Sequence, residues 1–262
     1  MSADRALFCG VDVGASATKL VLLDASGNVA SRVVLPTGVD FAATAAVCLD
    51  RALDEAQAPR ARIANTVATG YGRRNVAFAD APLTEIHCHG IGCYHLFGRA
   101  ITIVDIGGQD NKVIRLDKQG LRIDFTMNRK CAAGTGAFIE EIAHRLGVPL
   151  GEMDALARSA SQTVRLSSFC TVFAKTEILT QLRLGAPVDG IVRGAFLAVL
   201  DRVLEMAPLV GEVVLSGGVA AHNPVIAEIL AEKLGREVEV APHPQFTGAL
   251  GAALAAWRQS AP

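Results

Sequence analysis

Two apolar runs joined by a glycine turn open the sequence. Residues 7–24 read L-F-C-G-V-D-V-G-A-S-A-T-K-L-V-L-L-D: the first run carries Asp12, the chain turns at Gly14, and a second apolar run follows. Apolar runs bounded by Gly and Ser predict a strand, a turn and a second strand. A further turn is predicted at Ser26-Gly27.

Strands and helices then alternate along the chain. Helical periodicity indicates helices over residues 40–57, from about residue 188 to 206, and over residues 249–257, the last rich in alanine. Short apolar runs predict strands over residues 62–69 and from residue 212 into a glycine-rich turn at 216–219. This alternation is typical of an α/β fold.

The opening pattern recurs 93 positions later, in residues 103–120, without a gap. The matched pairs are Val11 and Val104, Asp12 and Asp105, Gly14 and Gly107, Lys19 and Lys112, Leu23 and Leu116, Asp24 and Asp117, and Gly27 and Gly120. Matches concentrated at turn and charge positions predict a duplicated unit, and so two similar α/β halves.

Each glycine turn follows a strand that carries an aspartate, which suits a nucleotide. Backbone N–H groups at residues 14–17 and 107–109 are candidates to bind phosphate oxygens. Asp12 and Asp105 are candidates to hold Mg²⁺ through its water shell, because Mg²⁺ gives up water reluctantly. The sequence therefore favours a site for a magnesium nucleotide.

Three further features extend this nucleotide hypothesis. Lys19 would neutralise phosphate charge, and Gln109 would orient an attacking water, as a glutamine does in other phosphoryl-transfer sites. The turn at 216–219 carries two glycines, which would let a base or ribose lie against the backbone. Neither a P-loop motif nor a dinucleotide-binding G-x-G-x-x-G after the first strand is present.

Two of the six cysteines lie just before predicted helices. The six are Cys9, Cys48, Cys88, Cys93, Cys131 and Cys170. Cys131 and Cys170 precede helix N-termini, where unpaired N–H groups favour a thiolate, and Gly134 and Gly136 would let a bound group approach. From spacing alone the two remain candidates for a metal or redox site, for zinc ligands or for free thiols. Zinc is disfavoured because no C-x-x-C pair occurs.

A second group of potential ligands lies in E-I-H-C-H-G-I-G-C-Y-H, residues 85–95. His87, Cys88, His89, Cys93 and His95 are able to bind zinc or iron in principle. On an extended strand, however, His87 and His89 would share one face and Cys88 would point away. A structural role is favoured, with His89 packed near the crevice between the halves. Cys9 and Cys48 lie in apolar runs and are predicted to be buried.

Taken together, the motifs resemble a known superfamily. Asp12-x-Gly14, Asp105-x-Gly107-Gly108 and Ser216-Gly217-Gly218 are similar to the phosphate and adenosine motifs of the actin, acetate and sugar kinase and heat-shock chaperone superfamily. With V-D-I-G-G-Q-D-x-K, N-x-K-C-A-A-G-T-G, S-S-x-C-T-V-F-A and L-S-G-G-V-A, the chain resembles the ATP-dependent activators of 2-hydroxyacyl-CoA dehydratases and the ATPase subunits of benzoyl-CoA reductase. The resemblance covers nearly the whole chain.

The resemblance implies an actin-like ATPase fold: two duplicated ribonuclease H-like α/β halves with a nucleotide cleft between them. Residues 1–98 would form the first half, with the C-terminal helix of about 246–262 packing back on it, and residues 99–245 the second half. The catalytic residues would be Asp12, Asp105 and Gln109. The ATP/ADP-binding residues would be Gly14, Ala15, Ser16, Ala17, Thr18, Lys19, Gly107, Gly108, Gln109, Gly217, Gly218, Val219 and Gln245.

It further implies a homodimer with one [4Fe-4S] cluster at the subunit interface, ligated by Cys131 and Cys170. Four thiolates hold such a cluster, and a two-fold axis turns two cysteines into four. The implied function is ATP-driven one-electron donation to an iron–sulfur dehydratase, with a ferredoxin or flavodoxin as electron donor. The alternatives are the ATPase subunit of a benzoyl-CoA reductase-like complex, an actin-fold small-molecule kinase and a non-catalytic binding module.

Composition restricts the partners. Hydrophobic residues make up 51% of the chain, enough for a sizeable core, and the net charge of −1 implies no general attraction to nucleic acid or membrane. The N-terminus reaches an acidic residue too early for a signal peptide, and charged residues interrupt every apolar run. We expect a soluble, cytoplasmic protein without a disulfide framework.

Overall fold

The computed structural model describes residues 6–128, 131–166 and 171–260 of the chain. Within them the strands are β1 (Leu7–Val13), β2 (Ala17–Leu23), β3 (Val29–Pro36), β4 (Ile63–Thr69), β5 (Ala81–Pro82), β6 (Thr102–Ile106), β7 (Asn111–Leu116), β8 (Arg122–Asn128), β9 (Val213–Ser216) and β10 (Val238–Val240). The α-helices are α1 (Phe41–Glu55), α2 (Glu85–Phe97), α3 (Gly136–Leu146), α4 (Met153–Ser159), α5 (Thr171–Arg183), α6 (Val188–Met206), α7 (Gly218–His222), α8 (Val225–Leu234) and α9 (Thr247–Ser260).

The first of two compact units contains the residues up to Ala100, Leu116–Ile123 and the segment from Gln245 onward. Its five-stranded sheet has the order β3-β2-β1-β4-β5. The central strand β1 is antiparallel to β2, parallel to β4 and buried at every position. A strand buried on both faces reads as a continuous apolar run, which is the pattern seen in the sequence.

Alternate residues of β1 belong to two different cores. Cys9 and Val11 pack with the buried face of α1, whereas Phe8 packs with the alanine-rich face of α9. Successive strand residues point to opposite faces, so one strand serves both layers. A Cβ at Gly10 would lie 2.1 Å from the carbonyl oxygen of Ala249, so α9 crosses β1 in direct backbone contact.

The second unit contains Ile101–Arg115 and Asp124–Pro244, and its sheet order is β10-β9-β6-β7-β8. Here β6 is antiparallel to β7 and parallel to β9, and β9 is parallel to β10. A single core joins this sheet to the helices, with Phe138 of α3 and Phe196 of α6 among its largest buried side chains. These residues supply the helical periodicity found in the sequence.

The two sheets repeat one topology, so the structure confirms the predicted duplication. If the strands of each unit are numbered in chain order, both sheets have the same order across the sheet: third, second, first, fourth and fifth strand. The N–H of Gly14 donates to the carbonyl of Ala17 (3.1 Å), and the N–H of Gly107 donates to that of Asp110 (2.9 Å). Gly27 and Gly120, which end the repeat, have φ of 82° and 79°, a conformation that favours glycine.

The segment of residues 85–95 lies in the helix α2, so the extended strand considered for it is wrong. Its glycines weaken intrinsic helix propensity, but they also allow a close approach to α9. A Cβ at Gly92 would lie 2.1 Å from the Thr247 carbonyl oxygen, and one at Gly251 would lie 1.7 Å from that of Cys88. Burial between the two helices therefore outweighs the local preference, as tertiary packing commonly does.

Candidate functional site

The first glycine turn, residues 14–17, joins β1 to β2. Asp12 and Lys19 are partners across this antiparallel pair, and the Lys19 ammonium lies 3.5 Å from Oδ2 of the 5% exposed Asp12. Ala15 and Ser16, at the tip, are exposed. The turn thus presents backbone beside a buried carboxylate and a half-buried ammonium.

Thr18 supports the first glycine turn through hydrogen bonds that pass by way of Thr37. Its buried hydroxyl lies 2.9 Å from that of Thr37, which donates a hydrogen bond of 2.9 Å to the carbonyl of Gly14. The Thr37 N–H also donates to the carbonyl of Ser16. The Thr18 side chain is therefore engaged in holding the turn, while the exposed tip remains accessible.

The second glycine turn, residues 107–110, lies at the equivalent place in the second unit, but its charges are more tightly paired. The Lys112 ammonium lies 3.0 Å from Asp105 Oδ2 and 2.9 Å from Asp110 Oδ1. The Ser216 hydroxyl donates a hydrogen bond of 3.0 Å to Asp105 Oδ1. Both oxygens of Asp105 are therefore engaged, whereas Gln109 at the tip is exposed.

The third turn follows β9. Gly217 has φ of 94°, and a Cβ there would lie 2.4 Å from the carbonyl oxygen of Ile106. The fold itself therefore requires a glycine at this position, whether or not a base or ribose lies against the turn. Gly218 begins α7, Val219 is buried, and Gln245 is half-buried in a 3₁₀ turn.

Cys131 is exposed and begins the cysteine loop, residues 131–135, which leads into α3. Gly134 has φ of 81°, and a Cβ there would lie 2.8 Å from Arg202, so this glycine is needed for packing on α6. A Cβ at Gly136 would lie 3.1 Å from Cα of Gly108. Both glycines thus face protein, which corrects the expectation that they keep space for a group beside the sulfur.

The start of α3 is bonded to the second glycine turn. The N–H of Gly136 donates to the carbonyl of Gly107 (2.9 Å), and the N–H of Ala137 donates to that of Gly108 (2.8 Å). The Asn111 side-chain amide donates a 2.5 Å hydrogen bond to the carbonyl of Gly134. The first-turn N–H groups expected to favour a thiolate are therefore used by the turn. Cys170, the other predicted ligand, lies outside the described residues.

The remaining cysteines are buried and unsuited to ligation. Burial raises the pKa of Cys9, that of Cys48 to about 11 and that of Cys88 to about 12, so each is a neutral thiol near pH 7. Cys93 is also buried. A thiolate is the form that binds metals, so these sulfurs fit the apolar interior instead.

The histidines of α2 do not converge. His87 and His95 are exposed, whereas His89 is 6% exposed and its Nδ1 lies 2.9 Å from the Thr247 hydroxyl. Residues two apart on a helix differ by about 200° in direction, so His87 and His89 cannot share a face. Within the described ranges, no three His, Cys, Asp or Glu side chains cluster to hold a metal. No described helix is both long and apolar enough to cross a bilayer.

The two duplicated units with glycine turns have the fold of the actin-like ATPases, as the sequence motifs predicted. A ROK family glucokinase from Streptomyces griseus shares this fold, with a TM-score of 0.56 at 13% identity over 97% of this chain and 100% of the glucokinase chain. Residues 9–256 match the BadF/BadG/BcrA/BcrD ATPase family, and the chain belongs to that family.

Several relatives that align with nearly the whole chain are named as activators or components of 2-hydroxyacyl-CoA dehydratases. An activator of lactoyl-CoA dehydratase from Anaerotignum propionicum is 43% identical over 95% of this chain and 96% of its own. Component A of the Acidaminococcus fermentans (R)-2-hydroxyglutaryl-CoA dehydratase has a TM-score of 0.92 at 35% identity, covering 97% of this chain and 98% of its own. The Clostridium difficile activator of 2-hydroxyisocaproyl-CoA dehydratase, solved with bound ADPNP, has a TM-score of 0.90 at 35% identity, covering 97% and 95%.

Proposed function

We propose that this protein is an ATP-dependent activator of a 2-hydroxyacyl-CoA dehydratase, which it supplies with single electrons at low potential. The observation that carries the proposal is that α3 is hydrogen-bonded to the second glycine turn, while the cysteine loop before α3 accepts a hydrogen bond from Asn111, the residue after that turn. A nucleotide-binding turn and a redox-active cysteine then share one rigid element. The dehydratase activators among the relatives support the choice of partner.

The nucleotide is bound by the glycine turns. Backbone N–H groups of residues 14–17 and 107–109 bind phosphate oxygens, and Gly217, Gly218, Val219 and Gln245 lie against the nucleoside. Lys19 pairs with Asp12 at 3.5 Å and stays half-exposed, so it is better placed than Lys112 to neutralise phosphate. Gln109 is exposed and orients the attacking water.

Asp12 and Asp105 would hold Mg²⁺ through its waters. Asp105 already accepts from Lys112 and Ser216, so direct metal binding would displace a buried ion pair. Mg²⁺ keeps several waters in most protein sites, which fits a carboxylate whose oxygens are engaged.

Cys131 and Cys170 supply two of the four thiolates that a [4Fe-4S] cluster needs, and a second copy of the chain supplies the others. The exposed position of Cys131 fits a ligand shared across a two-fold axis. Phe125, which precedes Cys131 by six residues, is 45% exposed, and Phe173, which follows Cys170 by three, is 68% exposed. Large exposed apolar side chains are suited to a subunit interface. The cluster, when bound, supplies reversible one-electron transfer.

Nucleotide state reaches the cysteine loop through the three hydrogen bonds at α3. A shift of the second glycine turn on phosphate binding or loss moves Gly107 and Gly108, and with them the N–H groups of Gly136 and Ala137. Because Gly134 and the first turn of α3 are bonded to these partners, the shift is transmitted towards Cys131, three residues before Gly134. ATP binding favours one conformation of the turn and helix only if ATP binds that conformation more tightly than the other. The surroundings of the sulfur then change with the conformation.

The test is ATP-dependent activation of a purified 2-hydroxyacyl-CoA dehydratase, with reduced ferredoxin or flavodoxin as the electron source and oxygen excluded. Wild-type protein should activate the dehydratase with ATP and fail with a non-hydrolysable analogue. Asp12→Asn should abolish ATP hydrolysis and activation, whereas Asp50→Asn, on the exposed face of α1, should leave both unchanged. Activation without ATP, or phosphate transfer from ATP to a small molecule, would refute the proposal; activity with a benzoyl-CoA reductase instead would reassign the partner.

A further inference from the structure

The second glycine turn carries a carboxylate that the nucleotide roles proposed above do not use. Asp110 is the last residue of that turn, and its side chain is 25% exposed. One oxygen, Oδ1, lies 2.9 Å from the Lys112 ammonium, which is the one side-chain partner that Asp110 has within the described residues. The other oxygen, Oδ2, therefore keeps its capacity to accept a hydrogen bond.

Asp105, the carboxylate that the sequence assigns to this turn, is engaged at both oxygens. Its Oδ2 lies 3.0 Å from the Lys112 ammonium, its Oδ1 accepts a hydrogen bond from Ser216, and the residue is 2% exposed. A general base needs an oxygen that is free to accept a proton and a route by which the proton leaves. Of the two carboxylates that contact Lys112, Asp110 is the one that meets these needs.

The duplicated half shows that the turn itself does not require an acidic residue. Asp110 corresponds to Ala17 of the first glycine turn, 93 positions earlier. The N–H of Gly14 donates to the carbonyl of Ala17, and the N–H of Gly107 donates in the same way to that of Asp110. Alanine thus closes the equivalent turn, so the carboxylate at position 110 has a purpose other than folding the hairpin.

The charges at the second turn favour a role in accepting a proton. Lys112 contacts two carboxylates, whereas the printed partner of Lys19 at the first turn is Asp12. Two carboxylates and one ammonium leave one negative charge in surplus, and Asp110 is the more exposed of the two carboxylates. A negative charge opposes the binding of phosphate itself, but it stabilises the proton that a water loses as it attacks.

We propose that Asp110 is a further catalytic residue for ATP hydrolysis: its Oδ2 accepts a hydrogen bond from the attacking water and then takes the proton. The inference rests on the proposed function, which places phosphate oxygens at this turn and has Gln109 orient the water. As the water oxygen bonds to the γ-phosphorus, the bond from that phosphorus to the β–γ bridging oxygen breaks, and ADP leaves with the electron pair. The proton passes to Oδ2 and from there to solvent, while Lys112 holds Oδ1 in place.

Asp110→Asn is the direct test. The amide oxygen can still accept from Lys112, but the NH₂ group in place of Oδ2 cannot accept a proton. Asp110→Glu restores a carboxylate on a longer side chain. Glu152→Gln is the matched control, because it neutralises an exposed carboxylate of the same unit that makes no capping hydrogen bond. The readouts are kcat for ATP hydrolysis, the Kd of a non-hydrolysable ATP analogue with Mg²⁺ by calorimetry, and the thermal unfolding midpoint.

We expect Asp110→Asn to lower kcat about 100-fold or more, which is the usual contribution of a general base. The analogue should bind as tightly as to the wild type or more tightly, because a negative charge near the phosphates is removed. Asp110→Glu should recover part of kcat, and Glu152→Gln should match the wild type. If Asp110→Asn does not fold, Asp110→Ala takes its place, since alanine occupies the equivalent position of the first turn.

An unchanged kcat in Asp110→Asn would overturn the inference. So would a loss of kcat that comes with weaker binding of the analogue or a lower unfolding midpoint, because the carboxylate would then hold metal or the fold. Asp12→Asn separates this failure from that of the proposed function: if it is inactive while Asp110→Asn behaves as wild type, the role of Asp110 alone is wrong. Absence of ATP hydrolysis in the wild type would refute both.

Discussion

Replacing Gly136 with Ala tests the bonds between the second glycine turn and the start of α3, which directly follows the cysteine loop. A Cβ at this position would lie 3.1 Å from Cα of Gly108 and 3.3 Å from the carbonyl oxygen of Gly107. Both contacts are tighter than side chains normally make, so the turn must withdraw by a few tenths of an ångström. The hydrogen bonds from Gly136 and Ala137, now 2.9 and 2.8 Å long, would lengthen with it.

The size of the effect follows from those two hydrogen bonds. Each neutral hydrogen bond contributes about 0.5–1.5 kcal/mol net, so the pair is worth about 1–3 kcal/mol. Alanine is up to about 1 kcal/mol more favourable than glycine in a helix. The helix should therefore stay folded while its contact with the turn weakens. We therefore expect the effect of nucleotide on the reactivity of Cys131 to fall about threefold to tenfold, which corresponds to about 0.6–1.4 kcal/mol.

The assay is alkylation of Cys131 in iron-free protein, followed by peptide mass spectrometry, with and without ADP or a non-hydrolysable ATP analogue. The ratio of the two rates measures how strongly nucleotide affects the loop. Gly151→Ala is the matched control, because no atom lies within 4 Å of a Cβ at that glycine in the same unit. The same nucleotide-dependent ratio in Gly136→Ala, Gly151→Ala and wild type would refute the coupling.

Two further predictions concern stability. Lys112→Met should lower the free energy of unfolding by about 3–5 kcal/mol in urea denaturation, because it leaves the buried Asp105 without its cation. Lys19→Met, at a longer pair whose ammonium is more exposed, should cost less than Lys112→Met, and equal losses would contradict the contrast. Burial raises the pKa of Cys88 to about 12, so the unfolded chain loses this proton first and stability should fall as the pH rises from about 9 towards 12. Cys88→Ala should show a smaller alkaline decline, and an identical decline would refute the assignment.

Much of the architecture was predictable because the pattern repeats. Matching Asp12 to Asp105 and Gly14 to Gly107 predicted two equivalent hairpins, and both form with the same turn hydrogen bond. The helix predicted over residues 188–206 has those bounds, since apolar periodicity continues along its whole length.

What the sequence did not disclose depends on contacts between distant segments. Residues 85–95 were considered as an extended strand, yet they form α2, where Gly92 and Gly251 let α2 and α9 meet; glycines in both segments were the available signal. Gly136 suggested space for a ligand, whereas it contacts Gly108. His89 and Thr247, whose side chains lie 2.9 Å apart, are separated by 158 positions, and no local pattern joins them. Such pairings arise only in the folded sheet and helix layers.

The central claim is that two chains share one cluster through Cys131 and Cys170. Native mass spectrometry and iron counting on protein purified without oxygen test it most directly. The account predicts a dimer with four iron atoms, lost in Cys131→Ala and in Cys170→Ala but retained in Cys48→Ala, whose sulfur is buried. An iron-free monomer, or a variant lacking Cys131 that keeps the iron content of the wild type, would contradict it.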